Sequence, residues 1–346
     1  MYETSTSVAV DALTKSSATV FDNATIERIL SLTTQGTTDT TVTFDTVSTT
    51  GGQVTVAAGT EVVYVDSSPV AQTTLIAPQN APVVIFQGKG GVNATFNDGQ
   101  TTVQSAAGVV ERVVVNSIGA DNIVIADNKN TQVTIGAGDT VVGGAGNDTV
   151  IAGFGDSTVV GGTGYTIVQM AGDDSDYEVT VVDGHAVVTN AKTGITTDIS
   201  NAQFVQLDNG EALVFANDTV EAAVSTLYEA AFGRAADANG LKFWFDRARE
   251  GVSLSDIADA FTQSTEFTDQ KAMSNEDFVA QLYQNTFGRA ADEGGLAHWT
   301  TVLQNGALDR GDVIEFFANV AADNLAGTAQ TEATIVGSVT IVHNIV

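Results

Sequence analysis

The chain has 346 residues and a formal net charge of −29, from 42 acidic side chains against 13 basic ones. That balance excludes a nucleic-acid backbone as partner, because phosphate binding takes clustered Lys and Arg, and it favours multivalent cations. With 43% hydrophobic residues the chain is not a disordered acidic tail, and it is long enough for two or more cores.

The N-terminus, "MYETSTSVAVDALTK", has an early Glu, no basic n-region and no long apolar run. Neither a cleaved secretory leader nor a transmembrane segment is therefore expected. The absence of cysteine suits a protein exported without disulfide chemistry. Residues 1–59 form a Thr-rich segment, a cap or a contact region. Within it "NATIERILSL" at 23–32 reads as a short helix and "TTVTFDTVSTTGGQVTVAAG" at 40–59 as early strands.

From residue 60 to residue 170 short Val- and Ile-rich runs recur at roughly nine or ten residues. They include "VVYV" at 62–65, "VVIF" at 83–86, "TTV" at 101–103, "RVVV" at 112–115, "IVI" at 123–125 and "TVI" at 149–151. Gly, Asn, Asp and Ser fill the gaps, which is strand and turn chemistry at an even beat. Strands this short are not stable alone, but stacked coils bury them between two sheets. The fold class predicted is multidomain β + α: a parallel β-solenoid or β-roll over 60–170, an antiparallel cap, then an all-α tandem-repeat domain. A sandwich of hairpins is the alternative, and it would need longer strands.

One turn carries more. "GGAGNDTVI" at 143–151 fits G-G-x-G-x-D-x-U-x, where U is a large apolar residue. It resembles the calcium-binding RTX repeat of secreted bacterial proteins. "GAGDTVV" at 136–142, "AGFGDSTVV" at 152–160 and "GGTGYTIVQ" at 161–169 match in part. Glycines permit positive φ and inward carbonyls, and calcium takes six to eight hard oxygen ligands. The resemblance implies Ca2+ held by Gly136, Gly138, Asp139, Gly143, Gly146, Asn147, Asp148, Gly153, Gly155 and Asp156. In such a roll the ion lies between turns on one side, two repeats apart. Asp139 then faces the 152–157 turn, with Asp156 or Ser157, and Asp148 faces Thr166. Glycine turns without metal remain the alternative. A dinucleotide loop is excluded because no helix follows the glycines. An EF-hand is excluded because "GDDSDYE" at 172–178 lacks the central Gly and the closing Glu.

Residues 171–216 alternate apolar and polar positions around "VDGH", "AKTG" and "LDNGE", as expected of an antiparallel cap. "ISNAQFVQLDNGEALVFA" is similar to the segment that follows RTX repeats.

Between 217 and 325 the periodicity becomes helical, and "LYEAAFGRAADANGLKFWF" from Leu227 is echoed by "LYQNTFGRAADEGGLAHWT" from Leu282. Gly233 and Gly288 should end one helix, and Asp237 and Asp292 should cap the next. Leu241, Trp244, Leu296 and Trp299 fall on an inner face, and Ser253 starts a third helix. The frame resembles a tandem module of unknown function in secreted and surface-layer-associated bacterial proteins, often beside RTX repeats. It brings no catalytic residues; Arg234 and Arg289 read as structural ion-pair partners.

Residues 326–346 alternate as a half-buried strand of roughly ten residues. With type I secretion implied by the RTX resemblance, they also read as an uncleaved export signal. The three histidines, His185, His298 and His343, form no recognisable triad, so no enzyme is expected. A polysaccharide lyase would need basic residues, and those between 60 and 216 are scattered. The expected role is a calcium-dependent, self-associating extracellular protein of a surface layer, fibre or biofilm matrix. A glycan-binding adhesion module, with extracellular polysaccharide as partner, is the alternative.

Overall fold

A computed structural model describes residues 2–5, 8–9, 13, 23–33, 41–97, 110–116, 119–183, 185–208, 212–216, 219–234, 236, 238–326, 333–336 and 339–343. The chain divides into two compact units. One comprises Met1–Ala171, Asp176–Glu178 and Val187–Gln203, the other Gly172–Ser175, Val179–Ala186 and Phe204–Val346. Strands β15 (Tyr177–Val182) and β16 (His185–Asn190) are shared between them.

The first unit contains β1 (Tyr2–Ser5), α1 (Asn23–Thr33), β2 (Thr41–Ser48), β3 (Gly52–Gln53), β4 (Val62–Asp66), β5 (Thr73–Ile76) and β6 (Val83–Gln87). There follow β7 (Val92–Phe96), β8 (Arg112–Asn116), β9 (Asn122–Ile125), β10 (Thr131–Thr134), β11 (Thr140–Val142), β12 (Asp148–Ile151), β13 (Ser157–Val160), β14 (Thr166–Met170) and β17 (Thr196–Ser200). From β2 to β14 the even strands line up in one sheet, and the odd strands from β3 to β13, extended by β17, line up in a second. Neighbours within each are parallel. The chain thus alternates between two parallel sheets, coil by coil, in a roll-like fold.

Two boundaries differ from expectation. Parallel pairing starts at β2, so residues 41–59 belong to the stack rather than preceding it. At the other end β17 pairs parallel to β13, within the segment expected to be antiparallel throughout. The β15 and β16 excursion returns the chain in its original direction, and register is kept: Ser157 sits opposite Thr197. The "TTV" run at 101–103 lies outside the described residues.

Burial explains why some strands read as unbroken apolar runs. Val62, Tyr64, Val83, Ile85, Val113 and Val115 share a cluster with Ile26 and Ile29 of α1, and Thr25 Oγ1 lies 3.4 Å from Thr134 Oγ1. The intervening Val63, Val84, Phe86 and Val114 are also buried. Phe86 meets Phe96 of the other sheet at 6.3 Å, which places that second face in the interior. Both faces of β4, β6 and β8 are therefore covered, as in fully buried parallel strands. Strands β12 and β13 keep one face half-open, burying Asp148, Val150, Ser157 and Val159 while Thr149, Ile151, Thr158 and Val160 are half-buried.

The second unit holds β18 (Phe204–Leu207), β19 (Ala212–Ala216), seven helices among the described residues, β20 (Ala333–Val336) and β21 (Val339–His343). The helices are α2 (Thr219–Phe232), α3 (Ala238–Arg249), α4 (Leu254–Gln263), α5 (Thr268–Ala272), α6 (Asn275–Phe287), α7 (Glu293–Gln304) and α8 (Arg310–Ala326). β18 and β19 are antiparallel, as the cap reading requires. The tail is a hairpin, not a single strand: β20 pairs antiparallel with β21, and β21 runs parallel to β19. Gly337-Ser338, a turn-forming pair, separates the two in sequence.

α2 packs on α8, α6 and α3, and α8 also contacts α4 and α6. Gly288 closes α6 at φ 61, where a Cβ would be strained. Asp292 caps α7 by accepting from Gly295 N at 2.8 Å, and Ser253 caps α4 through Asp256 N at 3.1 Å. Asp237 lies outside the described residues. Of the four residues assigned to an inner face only Leu241 is fully buried; Trp244, Leu296 and Trp299 are half-buried. Each indole edges onto a core phenylalanine, Trp244 on Phe261 at 5.4 Å and Trp299 on Phe317 at 5.6 Å. Arg234 pairs with Glu266 at 2.7 Å, as its ion-pair reading required. Arg289 instead donates to the Ala290 carbonyl and lies over the Tyr283 ring at 5.3 Å. No helix among the described residues is long and apolar enough to cross a membrane.

Candidate functional site

The residues singled out by the RTX pattern fall at two edges of the first unit. Gly143, Gly146, Asn147 and Asp148 lead into β12. Gly136, Gly138 and Asp139 lead into β11, and Gly153, Gly155 and Asp156 into β13. At each edge successive turns lie directly on one another. Ala145 N donates to the Asp127 carbonyl at 2.9 Å, Gly164 N to the Gly144 carbonyl at 3.1 Å, and Gly138 N to the Asp156 carbonyl at 2.7 Å. A Cβ at Gly162 would stand 2.0 Å from Gly144 O, so this close approach is what demands glycine there.

The two acidic slots turn inward. Asp148, opposite Thr166 in the strand register, accepts from Thr131 N at 3.1 Å and Gly144 N at 2.7 Å. Asp139 accepts from Asp121 N at 2.8 Å, Gly136 N at 2.7 Å and Asn116 Nδ2 at 3.4 Å. Asp156 is exposed and accepts from Thr196 N and Oγ1 at 2.8 and 3.1 Å. The turns of Asp139 and Asp156 do stack, through Gly138 N to the Asp156 carbonyl and Thr158 N to the Asp139 carbonyl, while their two carboxylates address opposite neighbours. Ser157 likewise points away, to Thr197 at 3.3 Å. Asn147 N binds Asn130 Oδ1 at 2.8 Å.

A wider rule connects these contacts. At five strand entrances a carboxylate or carboxamide oxygen accepts a backbone N–H of the coil before it. Glu61 does so for Thr43, Asp121 for Val92, Asp139 for Asp121, Asp148 for Thr131 and Gln203 for Thr166. Glu111 and Asp156 instead accept from the coil after. These side chains clasp coil to coil, satisfying donors that strand pairing leaves over.

Two inner corners result, with different charge. At one, Arg112 meets Asp127 in a two-pronged pair, 2.7 and 3.2 Å, beside Asp148 and over the Phe96 ring at 4.6 Å. At the other, Asn116, Asp121 and Asp139 are 2%, 1% and 2% exposed, and Arg112 is the sole buried basic side chain among the described residues. Burial, then the neighbouring Asp139 charge, pushes the Asp121 carboxyl up to about 7. Burial alone raises Asp139, and it raises Asp148 to about 6 despite the backbone donors and the Arg112 charge. Such groups hold a proton or a counter-cation near neutral pH.

Sequence reasoning missed Arg112, Asn116, Asp121 and Asp127. The signal available was the two-beat echo: Asp121 lies eighteen residues before Asp139, in the same slot of an earlier coil. No group of three or more His, Cys, Asp or Glu able to hold a metal occurs among the described residues. Any cation site must draw on amide or backbone oxygens as well.

The architecture is that of two parallel sheets in a roll-like stack, with a tandem helical domain after them. Residues 213–271 and 258–324 each match a family described as a domain of unknown function (DUF4214). No curated protein and no solved structure matches the chain.

Proposed function

We propose that the protein is a calcium-dependent structural component of the bacterial cell surface or extracellular matrix, exported by a type I route and self-associating. The observation that carries this reading is the charge of the interior: Asp121, Asp127, Asp139 and Asp148 are buried against Arg112 alone. An uncompensated buried carboxylate is costly, so a multivalent cation from solution would stabilise the stack. Coil stacking and the tandem DUF4214 match, a family whose resemblance points to secreted proteins carrying RTX repeats, support the extracellular setting. Extracellular-type sites bind calcium at about 10⁻⁴–10⁻³ M, which leaves the chain unloaded in the cytosol and loaded outside. The test is electron microscopy and light scattering of purified chain in millimolar calcium and in chelator. Ordered assemblies in calcium alone are expected; monomers in both would refute it.

A glycan-binding adhesion module is the second reading, favoured by two exposed aromatic pairs in the helical unit. Phe243 is 46% exposed beside Trp244 at 4.8 Å, and Phe316 is 48% exposed beside Trp299 at 4.7 Å. A glycan array probed with the intact chain distinguishes it, since only this reading expects ligands lost on Phe243→Ala and Phe316→Ala.

A further inference from the structure

We propose that Asn116, Asp121 and Asp139 form an internal binding site for one divalent, oxygen-seeking cation, inside the roll-like unit rather than in its glycine turns. The three residues share one corner: Asn116 ends β8, and Asp121 and Asp139 immediately precede β9 and β11 on adjacent coils. Asp139 ties them together, taking Asn116 Nδ2 on one oxygen and Asp121 N on the other. Its ladder neighbour Asp121 spends Oδ1 on Val92 N at 2.7 Å.

Two oxygens at this corner are left over. Asp121 Oδ2 and Asn116 Oδ1 are both buried and accept from no group of the protein. Native interiors rarely leave such acceptors empty, and each one marks a ligand, a water or an ion. Water would supply donors but no charge. The corner carries two carboxylates and no base, because the buried Arg112 is committed to Asp127 at the other corner.

The donor chemistry selects the class of ion. Two carboxylates and a carboxamide oxygen are all hard ligands, with no nitrogen or sulfur among them, and their charge is matched by a dication. Calcium accepts irregular geometry, whereas magnesium demands a near-ideal octahedron and keeps its water. Asp139 is shared with the glycine turns, but Asn116 and Asp121 are not among the residues assigned to them, so two of the three ligands distinguish this site from the turn sites. It deepens the calcium part of the function proposed above and rests on it only for the identity of the ion; secretion and assembly play no part.

The test uses the full chain, stripped with chelator and titrated with calcium by calorimetry, with bound calcium counted by elemental analysis. Asp121→Asn should bind one calcium fewer per chain than the unaltered protein, and should melt higher than it in chelator, because a buried charge is gone. Asn116→Ala, which keeps both carboxylates, should weaken that same calcium at least tenfold and guards against misfolding of the first variant. Asp66→Asn, at the exposed end of β4 and outside every ligand set named above, should leave the internal ion in place. Magnesium at equal concentration should not fill the site. An unchanged calcium count and affinity in both Asp121→Asn and Asn116→Ala would overturn the proposal, as would equal loss in Asp66→Asn. Failure of the unaltered protein to assemble while these binding differences persist would refute the structural role and leave the site standing.

Discussion

Arg112 and Asp127 meet at 2.7 Å inside the first unit, their side chains 3% and 0% exposed. A second bond at 3.2 Å makes the pair bidentate, and the guanidinium also reaches Thr131 Oγ1 at 3.4 Å. Removing one member of a buried pair leaves the other charged and unsolvated, which typically costs about 3–5 kcal/mol. Arg112→Met should therefore destabilise strongly, more than any exposed substitution, because Asp148 loses its nearest positive charge as well. Adding Asp127→Leu should recover most of the loss, since an apolar pair of similar volume is tolerated. Guanidinium denaturation followed by circular dichroism reads both; a single variant within about 1 kcal/mol of the parent would contradict this account.

Stability in chelator should fall as pH rises from about 4 to about 7. Asp121 and Asp148 have folded-state values of about 7 and about 6, above the 3.8 of the free side chain. The folded chain thus holds protons that the unfolded chain has released. The stability they contribute is fully present below the unfolded value and is lost as pH passes through the folded one. Melting temperature should drop from about pH 4, where the unfolded carboxyls ionise, to about pH 7, and most steeply below about pH 6, where both groups contribute. Millimolar calcium should remove the drop, because a bound cation replaces the protons. A flat profile without calcium would contradict the burial of these carboxylates.

Two glycine substitutions should separate close packing from backbone strain. At Gly162 a Cβ meets the Gly144 carbonyl oxygen at 2.0 Å, while at Gly194 a Cβ meets nothing but the backbone holds φ at +75. Gly194→Ala should cost about 1 kcal/mol, the usual penalty for a left-handed residue. Gly162→Ala must push two coils apart, and should lower the melting temperature of the first unit several times further. Similar losses in both would mean that the turns are not in contact.

The same contrast explains how far the amino-acid sequence could be read. The even beat of β-branched runs and turn residues exposed the parallel stack, because the period of a coil is imposed on each copy. Covering by α1 could not be read from the beat, since "VVYV" and "VVIF" are as compatible with a buried helix segment as with a strand covered on both faces. Capping by Asp292 and Ser253 was legible because caps are local. Asn116 and Asp121 were not: the sequence between them, "SIGA", departs from the glycine pattern, and their meeting with Asp139 depends on stacking across eighteen residues. The tail showed its strand character but not its break into β20 and β21, which Gly337-Ser338 alone marked.

Removal of that hairpin should uncouple the two roles assigned to the C-terminus. β21 pairs with β19 along five residues, from Ala212 opposite Val339 to Ala216 opposite His343, and β20 covers the outer edge of β21. A chain ending at Thr331 would expose β19 along that length, and an uncovered strand edge recruits other chains. The truncated protein, refolded in vitro, should therefore lose stability in its helical unit and scatter light without calcium, while its first unit keeps the calcium-induced rise in melting temperature. In cells it should remain inside, since type I export reads an uncleaved C-terminal signal. Differential scanning calorimetry of both chains, with and without calcium, measures the first outcome, and fractionation of cells and medium measures the second. An unaltered helical transition would mean that the hairpin contributes no stability through β19; normal export would remove the type I route from the proposed function.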